Sequence, residues 1–547
     1  MAPELQFNRD SVDELLRRLE QLNAIGADLS HERDITRLLE RILLAAKTIT
    51  RADGGTLYRV TPDGTALSFE ILRTKSLGIA MGGSSGKTID FPDLPLRLAD
   101  GSPNDSLVAA YSAIHQQTVN IADAYTEQIF DFSGTRKFDE RTGYRSQSFL
   151  SVPMTGYDGD VIGVLQLINA MDPETGQVIP FSAADQSLAE SLASQAAIAI
   201  TSRQLMAQLE ELFESFVQLI NLAIDEKSQY TGDHCQRVPA LTMMLAEAVN
   251  ATTHGPLADF HMDDRDRYEL KIAGLLHDCG KITTPVHVVD KATKLQTIFD
   301  RMDLIDTRFE VLKRDQEIAT LRAQLALRER RDPQAEATLW AQCRQAIDHL
   351  DADREFLRRA NRGVEDMPQA DRDRVRRIGT AYSWRNVAGV EGAFLTADEM
   401  ENLTIGSGTL TAAEREVINY HIVATIKMLE QLPWPKHLRR VPEYAGGHHE
   451  RMDGRGYPKG LTKEQMSVQA RVMGIADIFE ALTARDRPYK PGMMLSEAMR
   501  IMSEFCKKGH IDPDLFDIFV KEGVYLRYAE QFLEPSQIDL VDPLAWS

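Results

Sequence analysis

The stretch YAGGHHERMDGRGYPKGL, Tyr444 to Leu461, sets two adjacent histidines shortly before a turn that contains glycine and proline. Neither a packed core nor a plain surface loop requires that arrangement, and neutral imidazole is a ligand for Fe, Mn, Zn or Ni. Further out, IAGLLHDCGKITTP at 272–285 ends an apolar helical run in His277-Asp278, and Gly280-Lys281 follow almost at once. Three shorter stretches add residues of the same chemistry: His234 in YTGDHCQRV, His421 in VINYHIV and Asp477 in VMGIADIFEAL. Asp477 is flanked by Ile475, Ala476, Ile478 and Phe479, so its carboxylate is costly to bury unless a cation or hydrogen-bond donors meet it. Any one of these residues alone reads as a satisfied core or capping side chain. His234, His277, Asp278, His421, His448, His449 and Asp477 together read as a metal centre.

The rest of the chain bounds what such a centre serves. Its 547 residues, 43% hydrophobic, suffice for two to four domains, each with its own core. The 82 acidic against 62 basic side chains give a formal charge of −20, which argues against binding a nucleic acid polymer. A small anionic ligand would have to be met by local cations or metals. No apolar run of eighteen residues occurs, and the opening MAPELQFNRDSVDELLRRLEQ lacks an apolar core segment, so the expectation is a cytoplasmic protein with no membrane association. Four scattered cysteines, Cys235, Cys279, Cys343 and Cys506, form no CxxC pair and read as reduced and structural.

Patterning divides the chain. An amphipathic helix near Val12 to Leu22 leads into the helical ITRLLERILLAAKTIT, and strand-like GGTLYRV, ALSFEIL, SFLSVPM and VIGVLQLIN follow, predicting an α+β domain. From Ser182 to Thr231 there is neither glycine nor proline, and Leu205, Leu209, Leu212, Phe216, Leu219 and Ala223 recur at 4-3-4-3-4 spacing, a coiled-coil seam that would make a dimer and carry motion onward. The alternative is a helix packed inside its own domain. Beyond Phe216 the chain reads as helical to Tyr528, interrupted by a charged block over 296–406 that predicts two helices broken at Asp332-Pro333.

HDCGK together with HHERMDGRGYPKGL closely resembles the two signatures of the HD-GYP phosphodiesterases, a branch of the HD phosphohydrolases that cleaves cyclic di-GMP. The resemblance runs from about Phe216 to Phe519 and takes in GTLTAAEREVINYH, ARVMGIADIFEALTARDRPYK and GHIDPDLF. It implies two divalent ions, Fe or Mn, bridged by Asp278. His234, His277 and Asp477 would complete one site, and His421, His448 and His449 the other. It implies phosphate binding by Lys281, contacts from Arg487 and Lys490 to the second phosphate or the bases, and a Gly456-Tyr457-Pro458 turn that presents a surface to diguanylate cyclases. Some members add a third ion through a carboxylate one turn before the first histidine; here Tyr230 stands there, with Glu226 near in sequence. The expected product is pGpG, GMP or both.

Residues 29–202 resemble a GAF domain, a small-molecule sensor, through FDERTGYRSQSFLSVPM, DGDVIGVLQLIN and PFSAADQSLAESLASQAAIAI. Cyclic-nucleotide-binding GAF domains carry an Asn-Lys…Phe-x-x-x-Asp-Glu signature. The matching positions are Asn169, Ala170, Phe181, Asp185 and Gln186, so the lysine and the glutamate are missing and the ligand stays open. The expected architecture is therefore an N-terminal helix (1–28), an α+β GAF domain (29–202), a coiled-coil linker helix (203–225) and an all-α HD-GYP domain (216–547) with a helical insertion (296–406). Two rivals accompany the cyclic di-GMP reading: another cyclic dinucleotide such as 3′,3′-cGAMP as substrate, and a signalling adaptor whose metal centre is structural.

Overall fold

The computed structural model describes residues 9–32, 34–227, 234–328, 333–364, 366–385, 388–485 and 492–541. Contacts divide the chain into two units, Met1–Leu212 and Phe213–Ser547.

The first unit opens with α1 (Arg9–His31) and α2 (Ile35–Thr50), followed by β1 (Ala52–Val60), β2 (Ala66–Thr74), β3 (Ile79–Gly82) and β4 (Leu94–Pro95). Then come α3 (Val108–His115), β5 (Val119–Ile121), α4 (Ser133–Thr142), β6 (Phe149–Thr155), β7 (Val161–Met171), β8 (Val178–Ile179) and α5 (Ala183–Lys227). The strands form one antiparallel sheet ordered β3-β2-β1-β7-β6-β5, with β4 on β2 and β8 on β7. Leu38, Ile42 and Leu43 of α2 and Leu188, Leu192 and Ala196 of α5 share one core with Leu57, Leu150 and Leu165 of the strands. Helix α1 extends well beyond the expected segment because Leu22 and Leu29 join that core.

The signature positions of this unit are held in ways the sequence did not show. Asn169 takes a left-handed backbone (φ 58°), and its amide oxygen accepts from the Gln147 amide at 2.7 Å, bracing the turn before β6. Asp185 has a cation after all: the buried Arg18 of α1 pairs with it in place of the lysine absent at Ala170. A cavity of about 480 Å³ is walled by Phe69, Phe91, Phe138 and Phe149, with Gln166 and Tyr144 among its polar groups. Neither Arg18 nor Asp185 lines it.

The second unit begins within α5 and continues with α6 (His234–Asn250), α7 (Asp264–Leu276), a 3-10 turn at Cys279–Thr283, α8 (Val286–Val289), α9 (Met302–Arg328), α10 (Pro333–Ala360) and α11 (Gln369–Ala381). The ribbon β9 (Ser383–Arg385) and β10 (Glu391–Ala393) leads to α12 (Ala397–Leu403), α13 (Ala412–Glu430), α14 (Val441–Gly446), α15 (Val468–Thr483), α16 (Leu495–Lys507), α17 (Pro513–Lys521) and α18 (Val524–Phe532). Helices α6, α7, α14, α15, α16, α17 and α18 enclose one large core around Leu241, Leu270, Tyr444, Phe479 and Tyr528. Helices α9 to α12 gather on a separate core of Ile305, Phe309, Leu357, Val375 and Phe394. The fully buried Lys291 fastens the two regions, bonding Asn402 of α12 at 2.8 Å and Glu414 of α13 at 2.7 Å. No helix among the described residues is long and apolar enough to cross a membrane.

Candidate metal centre

Each histidine reaches the centre from a helix end or helix face, and hydrogen bonding fixes the tautomer of four of them. His277 follows α7, whose start is secured by a capping box of Asp263 and Asp266. Its Nδ1–H donates to the Gly274 carbonyl at 2.7 Å. A carbonyl only accepts, so the proton sits on Nδ1 and the Nε2 lone pair is free. The same holds for His448, whose Nδ1 meets the Ala445 carbonyl at 2.6 Å, and for His421, whose Nδ1 meets the Ile418 carbonyl. His234, the first residue of α6, directs Nδ1 to Glu480 Oε2 at 2.6 Å instead.

The free nitrogens converge on Asp278. Its Oδ2 lies 3.0 Å from His234 Nε2 and 3.2 Å from His277 Nε2, while its Oδ1 lies 3.2 Å from His421 Nε2. The two oxygens of one carboxylate thus address two groups of imidazoles. His277 and His234 Nε2 are 3.4 Å apart, and His421 and His449 Nε2 are 3.2 Å apart. Asp477 Oδ1 stands 3.4 Å from His234 Nε2, and its Oδ2 stands 4.0 Å from His449 Nδ1. Two sets of atoms are close enough to hold an ion: His234, His277 and Asp278, and His421, His448 and His449.

Charge in the pocket favours that use. Burial opposes ionisation of Asp278, but Lys281, His277 and His234 outweigh it and hold the carboxyl well below its usual range. Asp477 is lowered in the same way, its burial outweighed by His448, His234 and His449. Burial, with the neighbouring His449 and His277, pushes His448 well below the imidazole range, and burial lowers His449 to about 4. His234 runs the other way: burial opposes its charge, but Glu480 outweighs this and lifts it to about 9. Ionised carboxylates and neutral imidazoles are the forms that bind a metal, and an ion at His234 would displace a proton. The buried Nε2 of His448 and Oδ1 of Asp278 have no hydrogen-bond partner, and a cation set among these lone pairs would satisfy them. These residues fit a pair of divalent ions.

The surrounding loops explain the motifs. A Cβ on Gly280 would lie 2.0 Å from the His421 carbonyl oxygen, so glycine there lets the turn after His277-Asp278 press against α13. A Cβ on Gly456 would lie 2.4 Å from the Arg451 nitrogen, so that glycine likewise serves close approach. Tyr457 then stacks on the His449 ring, centroids 4.8 Å apart, and its amide donates to the His449 carbonyl at 3.2 Å. The buried Glu450 accepts from the amides of Lys459 and Leu461 at 2.7 and 2.8 Å, which ties down the backbone past Pro458. Lys281 places Nζ 2.5 Å from Asp278 Oδ2. Burial pushes the Cys279 thiol up to about 11, in keeping with an inert core residue.

Arg487, Lys490 and Tyr230 lie outside the described residues, as does Asp332 at the expected helix break. The sequence reading missed Glu480 and Arg237, which bonds Glu480 at 2.8 Å. The signal was present: Glu480 sits three residues after Asp477 in the same apolar helix, and the burial cost that singled out Asp477 applies equally to it.

Residues 34–200 match the GAF domain family, and residues 231–353 and 392–515 match HD domain families. A region that matches the GAF family is thus followed by two that match HD families. The chain is similar to the cyclic di-GMP phosphodiesterase PA4108 of Pseudomonas aeruginosa, 46% identical over 95 residues, which cover 17% of this chain and 22% of that protein. It is also similar to 3′3′-cGAMP-specific phosphodiesterase 1 of Vibrio cholerae, 46% identical over 83 residues, or 15% of this chain and 19% of the relative. A cyclic di-GMP phosphodiesterase of Thermotoga maritima is 32% identical over 121 residues, 22% of this chain and 32% of the relative. The chain thus spans from 19% to 32% of the length of these curated relatives.

Proposed function

We propose that this chain is a metal-dependent phosphodiesterase that hydrolyses cyclic di-GMP to pGpG, GMP or both, tuned by a small molecule in the GAF cavity. The observation that carries the reading is the placement of Asp278, whose two oxygens face two histidine groups with their free nitrogens turned inward. In this reading Asp278 bridges two ions, Fe or Mn, with His234, His277 and Asp477 on one and His421, His448 and His449 on the other. Such a pair supplies an activated water and neutralises charge on the phosphoryl oxygens. Lys281, at the rim, would leave Asp278 to hold a substrate phosphate as a point charge. Arg487 and Lys490 are assigned to the second phosphate or the bases on the family resemblance alone. A substrate of the 3′3′-cGAMP type is a second reading, supported by the 46% identity to a phosphodiesterase of that specificity.

The test is anaerobic metal analysis paired with kinetics on both cyclic dinucleotides, resolving pGpG from GMP. Two ions per chain and a linear product from cyclic di-GMP are expected. Full metal loading with no product from either substrate would move the weight to an adaptor with a structural centre.

The reading includes the domain boundaries set out above, with 203–225 as a dimer-forming linker and 296–406 as an insertion. Leu209, Leu212 and Phe216 stand 64, 62 and 61% exposed along α5, and burying each against a second copy would contribute roughly 1.5–3 kcal/mol. Leu209→Glu combined with Phe216→Glu is expected to yield a monomer in sedimentation velocity, whereas the unaltered chain sediments as a dimer. A double variant that stays dimeric would place the interface elsewhere.

A further inference from the structure

Three of the four histidines whose Nδ1 is pinned use the carbonyl three residues back, at Gly274, Ile418 and Ala445. At His234, the first residue of α6, a carboxylate takes the role. Glu480 Oε2 accepts from His234 Nδ1 at 2.6 Å, and Glu480 Oε1 accepts from Arg237 Nε at 2.8 Å. Glu480 is 0% exposed, so the charge is held by these partners rather than by water. It lies three residues after Asp477 on α15, so adjacent positions on one helix face supply both a ligand and the group that orients a second ligand.

A charged acceptor on Nδ1–H makes the opposite nitrogen a stronger donor than a backbone carbonyl does, and fixes the ring more firmly. The other half of the centre lacks this. His421 and His448 lean on carbonyls, and His449 is held by the stacked ring of Tyr457, with its side chain 24% exposed. We infer that Glu480 is a positioning residue, steadied by Arg237, that makes the half formed by His234, His277 and Asp278 the tighter of two unequal metal sites. The inference rests on the two-ion reading above. It adds an order of filling: the His234 half loads first and releases last.

The test titrates metal-free full-length protein with Mn²⁺, reading free ion by electron paramagnetic resonance, for the unaltered chain and for Glu480→Gln, which keeps the shape and removes the charge. Two classes of site are expected in the unaltered chain. Glu480→Gln should weaken the tighter class about 10- to 100-fold and leave the weaker class unchanged. Arg237→Gln, which keeps both Glu480 and His234, should weaken the same class by less, and it carries the test if Glu480→Gln does not fold. Two classes that both persist unchanged, or that weaken equally, would overturn the assignment while leaving the two-ion reading in place. An unaltered chain that binds no Mn²⁺ would overturn both.

Discussion

Replacing Asp278 with alanine is expected to abolish turnover and strip at least one ion from the centre. The carboxylate lies within 3.2 Å of nitrogens from His234, His277 and His421, so its loss uncouples the two halves at once. If the bridging group contributes about 4 kcal/mol of transition-state stabilisation, activity falls about 1,000-fold, because each 1.36 kcal/mol is tenfold in rate. The measurement is turnover of cyclic di-GMP at matched protein concentration, with metal content determined on the same sample. Asp278→Asn belongs beside it, because it keeps the shape while removing the charge that holds the site's cations. A fully active, fully loaded alanine variant would disprove the bridging role.

Gly280→Ala is expected to be nearly as damaging without touching a ligand. Its Cβ would fall 2.0 Å from the His421 carbonyl oxygen, 2.5 Å from the Thr425 nitrogen and 2.7 Å from Thr425 Oγ1. Two of these atoms are backbone of α13 and cannot swing aside, so the turn after Asp278 and the helix carrying His421 must separate. Overpacking of this kind costs about 1–3 kcal/mol, and here the displacement also pulls His421 from Asp278. Urea denaturation should show a lower midpoint, and metal analysis should show loss from the His421 half. Gly392→Ala is the control: a Cβ there meets no atom within 4 Å, so its effect should stay within about 0.5 kcal/mol. Equal behaviour of the two variants would refute the close-packing argument.

The reading of the centre drew its strength from residues whose burial is expensive. His277, Asp278 and Asp477 each stand in an apolar helical context, and a polar group there announces that something compensates it. Glu480 carried the same mark and was passed over, because nothing in the chain tells which of two carboxylates three residues apart faces the ions and which faces an imidazole. The lysine missing at Ala170 was visible as a departure from the signature, yet its replacement by Arg18 was not, since 167 positions separate Arg18 from Asp185. The heptad spacing along α5 is legible in the sequence, and Leu205, Leu209, Leu212, Phe216 and Leu219 are exposed on the single chain, which is why the dimer seam stands as a proposal.

Sequence alone pointed to the longer helices, four of the strands and the candidate centre: periodicity marks helices and strands, and the rarity of buried His and Asp marks the centre, whereas the short strands, among them the β9–β10 ribbon in a domain expected to be all helical, were not legible. Tertiary structure alone decided that His234 Nδ1 meets Glu480, which oxygen of Asp278 meets which histidines, and that Gly280 is a glycine because the backbone of α13 lies against it. The physical reason is range. Periodicity and burial cost are properties of a few neighbouring residues, whereas the contacts of Asp278 with His234 and His421, the bond from His234 to Glu480 and the approach of Gly280 to α13 join residues tens to hundreds of positions apart, brought together only when the helices pack.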